Sequence, residues 1–221
     1  EEESSQLKLL AAFLLPYHGL VTEVGKKKKK KLNLVFAMLA EGIKHPHRDA
    51  HDVDTMVQGC FPLREMISSF KALKEGGAEL ALVKGSSGPV VTPTTASEVD
   101  SLRLSIGLLL ENIKELWAPT LDLVRVAEAV LSPPAASYAT HPPLSERDLQ
   151  DFVAWLEQVG LMEIWKVPRL QDGKQLMAKF HVTGAQVGLL VEAQRKWQIL
   201  NPNASAEECE AYLVSILAEM K

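Results

Sequence analysis

Residues 97–117 read SEVDSLRLSIGLLLENIKELW, and this stretch decides the fold class. One set of its large apolar residues follows helical spacing: Leu102, Ile106, Leu109, Leu110, Ile113 and Trp117. This spacing is the 3.6-residue period of an amphipathic α-helix. Ser97 is a residue type that caps the start of a helix. The stretch therefore predicts a long helix with one face in a hydrophobic core.

The same period recurs towards the N-terminus. Apolar residues at helical spacing predict helices over residues 7–14 and 32–44. Asp49 predicts the cap of a further helix, and Pro62 predicts the opening of another. Between the first two helices lie six consecutive lysines, Lys26–Lys31, which predict a solvated and mobile loop.

Helical spacing also continues towards the C-terminus. Pro119 predicts a restart after the long helix, and Ser145, Thr183 and Ser205 predict three more helix starts. Thr183 and Ser205 are each followed three residues later by the Gln or Glu of a capping box. No segment shows the alternation of a strand. We predict an all-α fold, with a bundle-like helical body, a smaller helical tail and no catalytic α/β head.

A proline-rich stretch marks the predicted domain boundary. Residues 132–144 contain four prolines and read as a linker. This predicts a helical body domain over residues 1–131 and a helical C-terminal tail domain over residues 145–221.

Composition restricts the classes of function. The 221 residues carry a formal net charge of −4 at pH 7, so the whole-chain basic field of many nucleic-acid binders is absent. Any RNA contact must then come from a local patch. Two cysteines far apart in sequence predict neither a disulfide framework nor a zinc site. No apolar run is long enough for a membrane span, and we expect an intracellular protein without a membrane partner.

Two groups of residues could carry metal chemistry. Asp52 and Asp54 have the i, i+2 spacing of carboxylates that hold metal ions when they lie on a strand. Here the pattern is helical, so the two side chains should diverge, and a structural role is favoured. His45, His47 and His51 lack the further ligands of a known metal site. A catalytic domain built on these residues is the least favoured hypothesis.

Residues 161–200 form a locally basic segment in an acidic chain. The basic residues there are Lys166, Arg169, Lys174, Lys179, Arg195 and Lys196, against the three acids Glu163, Asp172 and Glu192. The predicted helix start at Thr183 and Gly184 would expose backbone N–H groups, which attract phosphate. The alternative to a nucleic-acid-binding surface is an ordinary solvated helix pair, because this excess of positive charge is small.

Four tryptophans could stack on bases. On helical stripes tryptophan is more often a core residue, and we expect this for Trp117 and Trp155. For Trp197 the sequence does not distinguish a core position from a role in base stacking.

Several motifs in the same order resemble the C-terminal region of one enzyme family. They are LMEIW (161–165), LQDGKQLM (170–177), TGAQVGLL (183–190), QRKWQ (194–198) and NPNASAEECE (201–210). Upstream, KLLAAFLLP (8–16) and IGLLLENIKELW (106–117) are similar to two body helices of that family. The chain thus resembles the body and tail of a eukaryotic, plant or algal-type CCA-adding tRNA nucleotidyltransferase of class II, the poly(A) polymerase-like group.

The resemblance implies that catalysis belongs to a part of the enzyme other than this chain. Such enzymes add CCA to the tRNA 3′ end from CTP and ATP, and an N-terminal head carries the catalytic carboxylates. The motifs of that head are absent here, so the chain alone is predicted to be a non-catalytic C-terminal fragment. No cofactor is expected in this chain, because Mg²⁺, CTP and ATP would belong to the head. The expected partners are tRNA and either the catalytic head or a larger ribonucleoprotein.

The resemblance and the basic segment together predict a tRNA-gripping surface. The residues predicted to contact phosphate or ribose are Lys174, Lys179, Gly184, Gln186, Arg195 and Lys196. No catalytic or metal-binding residue is predicted. The alternative function is a structural, non-catalytic module of a larger ribonucleoprotein assembly derived from the same enzyme. The sequence predicts neither the compartment (cytoplasm, nucleus, mitochondrion or plastid) nor a role for Lys26–Lys31.

Overall fold

A computed structural model shows a protein that is almost entirely helical. It describes residues 2–25, 29–80, 96–131, 143–202 and 205–219. Within these ranges the α-helices are α1 (Glu2–Leu14), α2 (Leu34–Phe36), α3 (His47–Glu75), α4 (Glu98–Ile113), α5 (Trp117–Leu131), α6 (Glu146–Gln158), α7 (Gly173–Phe180), α8 (Ala185–Leu200) and α9 (Ala206–Glu219). A π-helix follows α2, and short 3-10 turns complete the set: Ala37–Gly42, Leu15–Tyr17, Lys114–Leu116 and Ile164–Lys166. The predicted all-α class is confirmed.

One small hairpin departs from the prediction that the chain has no strands. Strands β1 (Val21–Val24) and β2 (Lys30–Asn33) pair antiparallel, with Val21 opposite Asn33. β-branched residues favour β1, but four residues are too few to show alternation in the sequence. Lys30 and Lys31 thus lie in a strand and not in the predicted mobile loop, while residues 26–28 lie outside the described residues.

Several helix boundaries also differ from the prediction. Helix α3 begins at His47, so Asp49 lies in its first turn and does not cap it. The helix predicted over residues 32–44 begins only at Leu34, because the preceding residues pair in β2. Helix α3 continues through Pro62 instead of restarting there. A proline inside a helix removes one backbone hydrogen bond. Burial of the neighbouring Cys60 and Leu63 in the core offsets that loss.

Three serine caps are confirmed. The Ser97 hydroxyl accepts from the N–H of Asp100, the Ser145 hydroxyl from Asp148, and the Ser205 hydroxyl from Glu208, at 3.2–3.3 Å. In each pair the acid in turn accepts from the backbone N–H of the serine. These reciprocal bonds satisfy donors that a helix start leaves free, so α4, α6 and α9 begin where the sequence predicts.

The described residues form two compact units. Unit one comprises Glu1–Ala72 and Asn112–Phe152, and unit two comprises Leu73–Glu111 and Val153–Lys221. The linker predicted over residues 132–144 falls largely outside the described residues, so that boundary stays a prediction. No helix among the described residues combines the length and the hydropathy that crossing a bilayer requires.

Unit one has its core along α3. Val53, Val57, Cys60 and Ile67 are fully buried on that helix, at the spacing of one helical face. Gly59 is also buried on α3, where an added Cβ would stand 3.0 Å from a methyl of Ile113. The absence of a side chain at this glycine therefore lets the side chain of Ile113 approach α3 closely.

Two ion pairs tie other helices of unit one to α3. Arg64 pairs with Glu128 of α5, and both side chains are largely buried. The Lys71 ammonium lies 2.9 Å from the carboxylate of Asp148 at the start of α6. The pKa of this carboxyl lies below its ordinary value. Burial raises it, but hydrogen bonds from Ser145 and Lys71 outweigh that effect.

The lowered pKa of Asp148 predicts a pH-dependent contribution to stability. Above about pH 4, near the unfolded pKa of an aspartate, the charged carboxylate stabilises the folded state. That stabilisation is lost as the pH falls through the lower, folded pKa. Asp148→Asn should therefore flatten the acid side of a plot of unfolding free energy against pH, measured by urea titration. Asp151→Asn on the same helix is the control, and identical profiles for both variants would contradict the assignment.

Candidate nucleic-acid interface

The motif LQDGKQLM builds the start of α7. The Asp172 carboxylate accepts from the N–H of Gln175, and the Gln175 side chain accepts from the N–H of Asp172, both at 2.8 Å. This reciprocal capping box fixes the first turn. Leu176 then points into the core, whereas Lys174 and Lys179 are exposed on the outer face. The amphipathic register of α7 thus places both predicted lysines in solvent.

The start of α8 differs from its predicted cap. Thr183 was expected to form a capping box with Gln186, but the N-cap is Gly184, and no side chain caps this end. Gly184 has a φ of +59°, in the region that glycine adopts without strain. Gly184 and Gln186 are both exposed. The first turn therefore presents backbone N–H groups and the positive end of the helix dipole to solvent.

Helices α7, α8 and α9 share one hydrophobic core. Its fully or nearly fully buried members are Leu176, Val182, Leu190, Trp197, Cys209 and Leu213. Trp197 has no exposed surface. It is therefore a core residue, because a buried indole cannot stack on a base. Trp155 is buried as predicted, and its Nε1–H donates to the Leu80 carbonyl at 2.8 Å. Trp117 is half-buried.

Arg195 lies in the interior and not on the predicted surface. Its guanidinium pairs with Glu111 and donates to the carbonyls of Ile164 (2.6 Å) and Val167 (3.2 Å). The side chain is 6% exposed. A phosphate cannot reach a guanidinium enclosed in this way, so a direct RNA contact from Arg195 does not fit its position.

The inner face of α8 holds the segment that precedes α7. Beside Arg195, the Gln194 amide donates to the Gln171 carbonyl at 2.9 Å, and the Gln198 amide donates to the Pro168 carbonyl at 3.1 Å. Polar side chains that bond to backbone carbonyls replace the hydrogen bonds which an irregular segment lacks. Arg195 therefore positions the segment that carries Arg169, rather than serving as a ligand itself.

The remaining basic side chains differ in how much charge they leave available. Lys196 lies 2.6 Å from the carboxylate of Glu192, and Lys179 pairs with Glu210. Lys174 and Arg169 are exposed, and neither forms an ion pair within the described ranges. Arg169 was not among the predicted site residues, although its place in the basic segment could have signalled it. Among the basic side chains of residues 161–200, Lys174 and Arg169 are thus the ones most available to bind an anion.

The aspartates and histidines considered for metal chemistry do not come together in a metal site among the described residues. Asp52 and Asp54 lie on α3, as their helical pattern predicted, and Asp54 accepts from Asn33 (2.9 Å) and Gln58 (3.2 Å). His45 faces Asp49, and His47 packs against the ring of Phe36. Among the residues that the structure describes, no group of three or more such side chains could hold a metal ion. These residues bind their own helix and its neighbours.

Comparison with known proteins gives one informative match. The chain is 31% identical over 113 residues to the tRNA nucleotidyltransferase cca2 of Schizosaccharomyces pombe. The match covers 51% of this chain and 22% of that protein, so the chain spans about a fifth of the length of its relative. No family model and no solved structure matches the chain. Over about half of its length, the chain is therefore similar to a tRNA nucleotidyltransferase.

Proposed function

We propose that this chain is the tRNA-gripping, helical portion of a CCA-adding tRNA nucleotidyltransferase of the plant or algal type. The observation that carries the proposal is the similarity to a tRNA nucleotidyltransferase over 113 residues. The surface of α7 and α8 supports it, because exposed cations lie in the same sequence segment as an uncapped helix start. Both features favour contact with phosphate.

The proposed contacts are electrostatic and follow the shape of the RNA. Lys174 and Arg169 would meet phosphates directly, and Lys179 and Lys196 would exchange their carboxylate partners for phosphates. Gly184 and Gln186 would offer backbone and amide donors at the start of α8. Base edges of A-form RNA are poorly accessible to side chains. Recognition of tRNA shape, and not of sequence, is therefore the mode that this surface suits.

Catalysis is assigned to another part of the enzyme. The chain spans about a fifth of its relative, and Mg²⁺, CTP and ATP would be held by a catalytic head. In this proposal the helical portion binds and orients tRNA, while the head transfers the nucleotides. The chain alone should bind tRNA and should not extend its 3′ end, which labelled CTP and ATP would test directly.

Neutralising the exposed cations tests the surface. Arg169→Gln, Lys174→Gln and Lys179→Gln combined should weaken binding of a tRNA transcript about ten-fold or more. The slope of log affinity against log salt should also become shallower, because each lost phosphate contact removes roughly 0.7–0.9 from it. Filter binding between about 50 and 200 mM salt would measure both quantities.

The matched control removes the same charge elsewhere. Lys44→Gln, Lys74→Gln and Lys114→Gln combined change three exposed lysines that lie outside residues 161–200 and outside the hairpin, and affinity should change little. Wild-type chain that fails to bind tRNA even at low salt would reject the proposed function. Equal losses in both triple variants would show that net charge, and not this surface, governs binding.

A further inference from the structure

The β-hairpin carries a cationic surface to which the proposed function gives no role. Lys29, Lys30 and Lys31 are all exposed. On β1 the acid is Glu23, which faces Lys31 in register and lies 3.1 Å from the Lys29 ammonium. Within the described part of the hairpin, Lys30 and Lys31 form no ion pair. The hairpin therefore presents more positive charge than it neutralises.

The lysines point to both faces of the hairpin. Successive side chains of a strand alternate between its faces, so Lys31 shares a face with Glu23, and Lys30 shares the opposite face with Leu32. Leu32 is half-buried, whereas Lys30 is exposed. Positive charge on both faces fits a partner that surrounds the hairpin with negative groups, such as the phosphates along a folded RNA.

The base of the hairpin is anchored to unit one. The Leu34 N–H donates to the Leu20 carbonyl at 2.8 Å, which closes the base beside the strands. Asn33 donates to Asp54 at 2.9 Å, and Gly19 donates its N–H to Gln58 at 3.3 Å, so α3 holds both ends. A held hairpin has less conformational freedom to lose when it binds a partner.

Lysines on a two-stranded sheet also have a purely structural use. Charged side chains on an exposed edge prevent pairing with strands of other molecules. One or two lysines suffice for that purpose, and like charges on adjacent residues repel one another. The sequence places six lysines in succession against a single acid, Glu23, in residues 21–33. Such an excess is unfavourable in the free protein and becomes favourable when a polyanion releases its counterions.

We infer that this hairpin is a second phosphate-binding surface for RNA, additional to the surface of α7 and α8. The inference rests on the proposed function, because tRNA is the polyanion that the sequence similarity supports. The residues that carry it are Lys29, Lys30 and Lys31, and Asn33 and Asp54 act as positioning residues for the strand that bears them.

Removing the three charges tests the inference in the full chain. Lys29→Gln, Lys30→Gln and Lys31→Gln combined should weaken binding of a tRNA transcript about ten-fold at low salt. The slope of log affinity against log salt should become shallower by about two units, since each phosphate contact contributes roughly 0.7–0.9. The variant Lys44→Gln, Lys74→Gln and Lys114→Gln has the same loss of charge at exposed positions outside the hairpin and should keep the wild-type slope.

The remaining outcomes each decide a point. If the wild-type chain binds tRNA and the hairpin variant keeps its slope, the second surface is rejected while the proposed function stands. If the wild-type chain binds no tRNA, the proposed function fails first. An unchanged RNA slope with lost binding to phosphatidylserine vesicles would assign the lysines to a membrane surface and overturn the inference. An unchanged slope with new self-association in gel filtration would assign them to edge protection, with the same consequence.

Discussion

Arg195→Met is expected to destabilise unit two by about 3–5 kcal/mol, the usual cost of breaking a buried ion pair from one side. The substitution leaves the Glu111 carboxylate without its partner and removes the donors to the Ile164 and Val167 carbonyls. Methionine fills much of the same volume, so the loss reports on polar bonds and not on a cavity. Arg195→Lys should recover little, because one ammonium cannot reach three acceptors in a fork.

Tryptophan fluorescence suits this measurement. Trp155, Trp165 and Trp197 lie in unit two, and Trp117 lies in unit one. A urea titration followed by fluorescence therefore reports mainly on the unit that contains Arg195. Lys196→Met on the same helix is the matched control, because its partner Glu192 is exposed and the ion pair is worth little. An unfolding midpoint equal to that of the control would show that the enclosed guanidinium contributes nothing to stability.

The same variant separates two roles for Arg195 in RNA binding. If the residue positions the segment of Arg169, tRNA affinity should fall only at temperatures where unit two loosens. If it binds phosphate itself, Arg195→Met should lower both the affinity and the salt slope in the fully folded protein. The interior bonds of Arg195 favour the first result.

The helices were predictable wherever the signal is local. Ser97, Ser145 and Ser205 form their caps with residues three positions away, so the sequence alone contains both partners. The exposure of Lys174 follows in the same way from the period of α7. The Asp172 and Gln175 box has the same spacing and could have been predicted, although only the family resemblance drew attention to that motif.

The features that the sequence did not predict depend on residues that are distant in the sequence. Arg195 lies on a helix whose basic residues looked solvent-facing, and its acid, Glu111, is 84 positions away. No spacing rule connects such a pair. The hairpin was missed because β2 begins inside the lysine run, and lysine is depleted in strands. The prediction that a helix opens at Pro62 was wrong for a related reason, because tertiary packing of α3 outweighs the local effect of the proline.

Glu128→Leu is expected to destabilise unit one by about 3–5 kcal/mol, because it leaves Arg64 buried and unpaired. Glu128 also accepts from the N–H of Leu144 at 3.1 Å, so the change removes a second bond at the start of the segment before α6. Far-ultraviolet circular dichroism during urea unfolding is the suitable measurement, since one tryptophan, Trp117, lies in this unit. Glu146→Leu, whose carboxylate pairs with Arg125 in a more exposed position, is the control.

The double variant Arg64→Met with Glu128→Leu makes the decisive comparison. Two buried charges are costly to desolvate, and replacing both with apolar side chains removes that cost along with their attraction. The double variant should therefore be more stable than the sum of the two single losses predicts, by about 1–3 kcal/mol in a double-mutant cycle. Additive losses would mean that the two side chains stabilise unit one independently. In that case Glu128 would act mainly through the Leu144 N–H, and the link between α3 and α5 would rest on apolar packing alone.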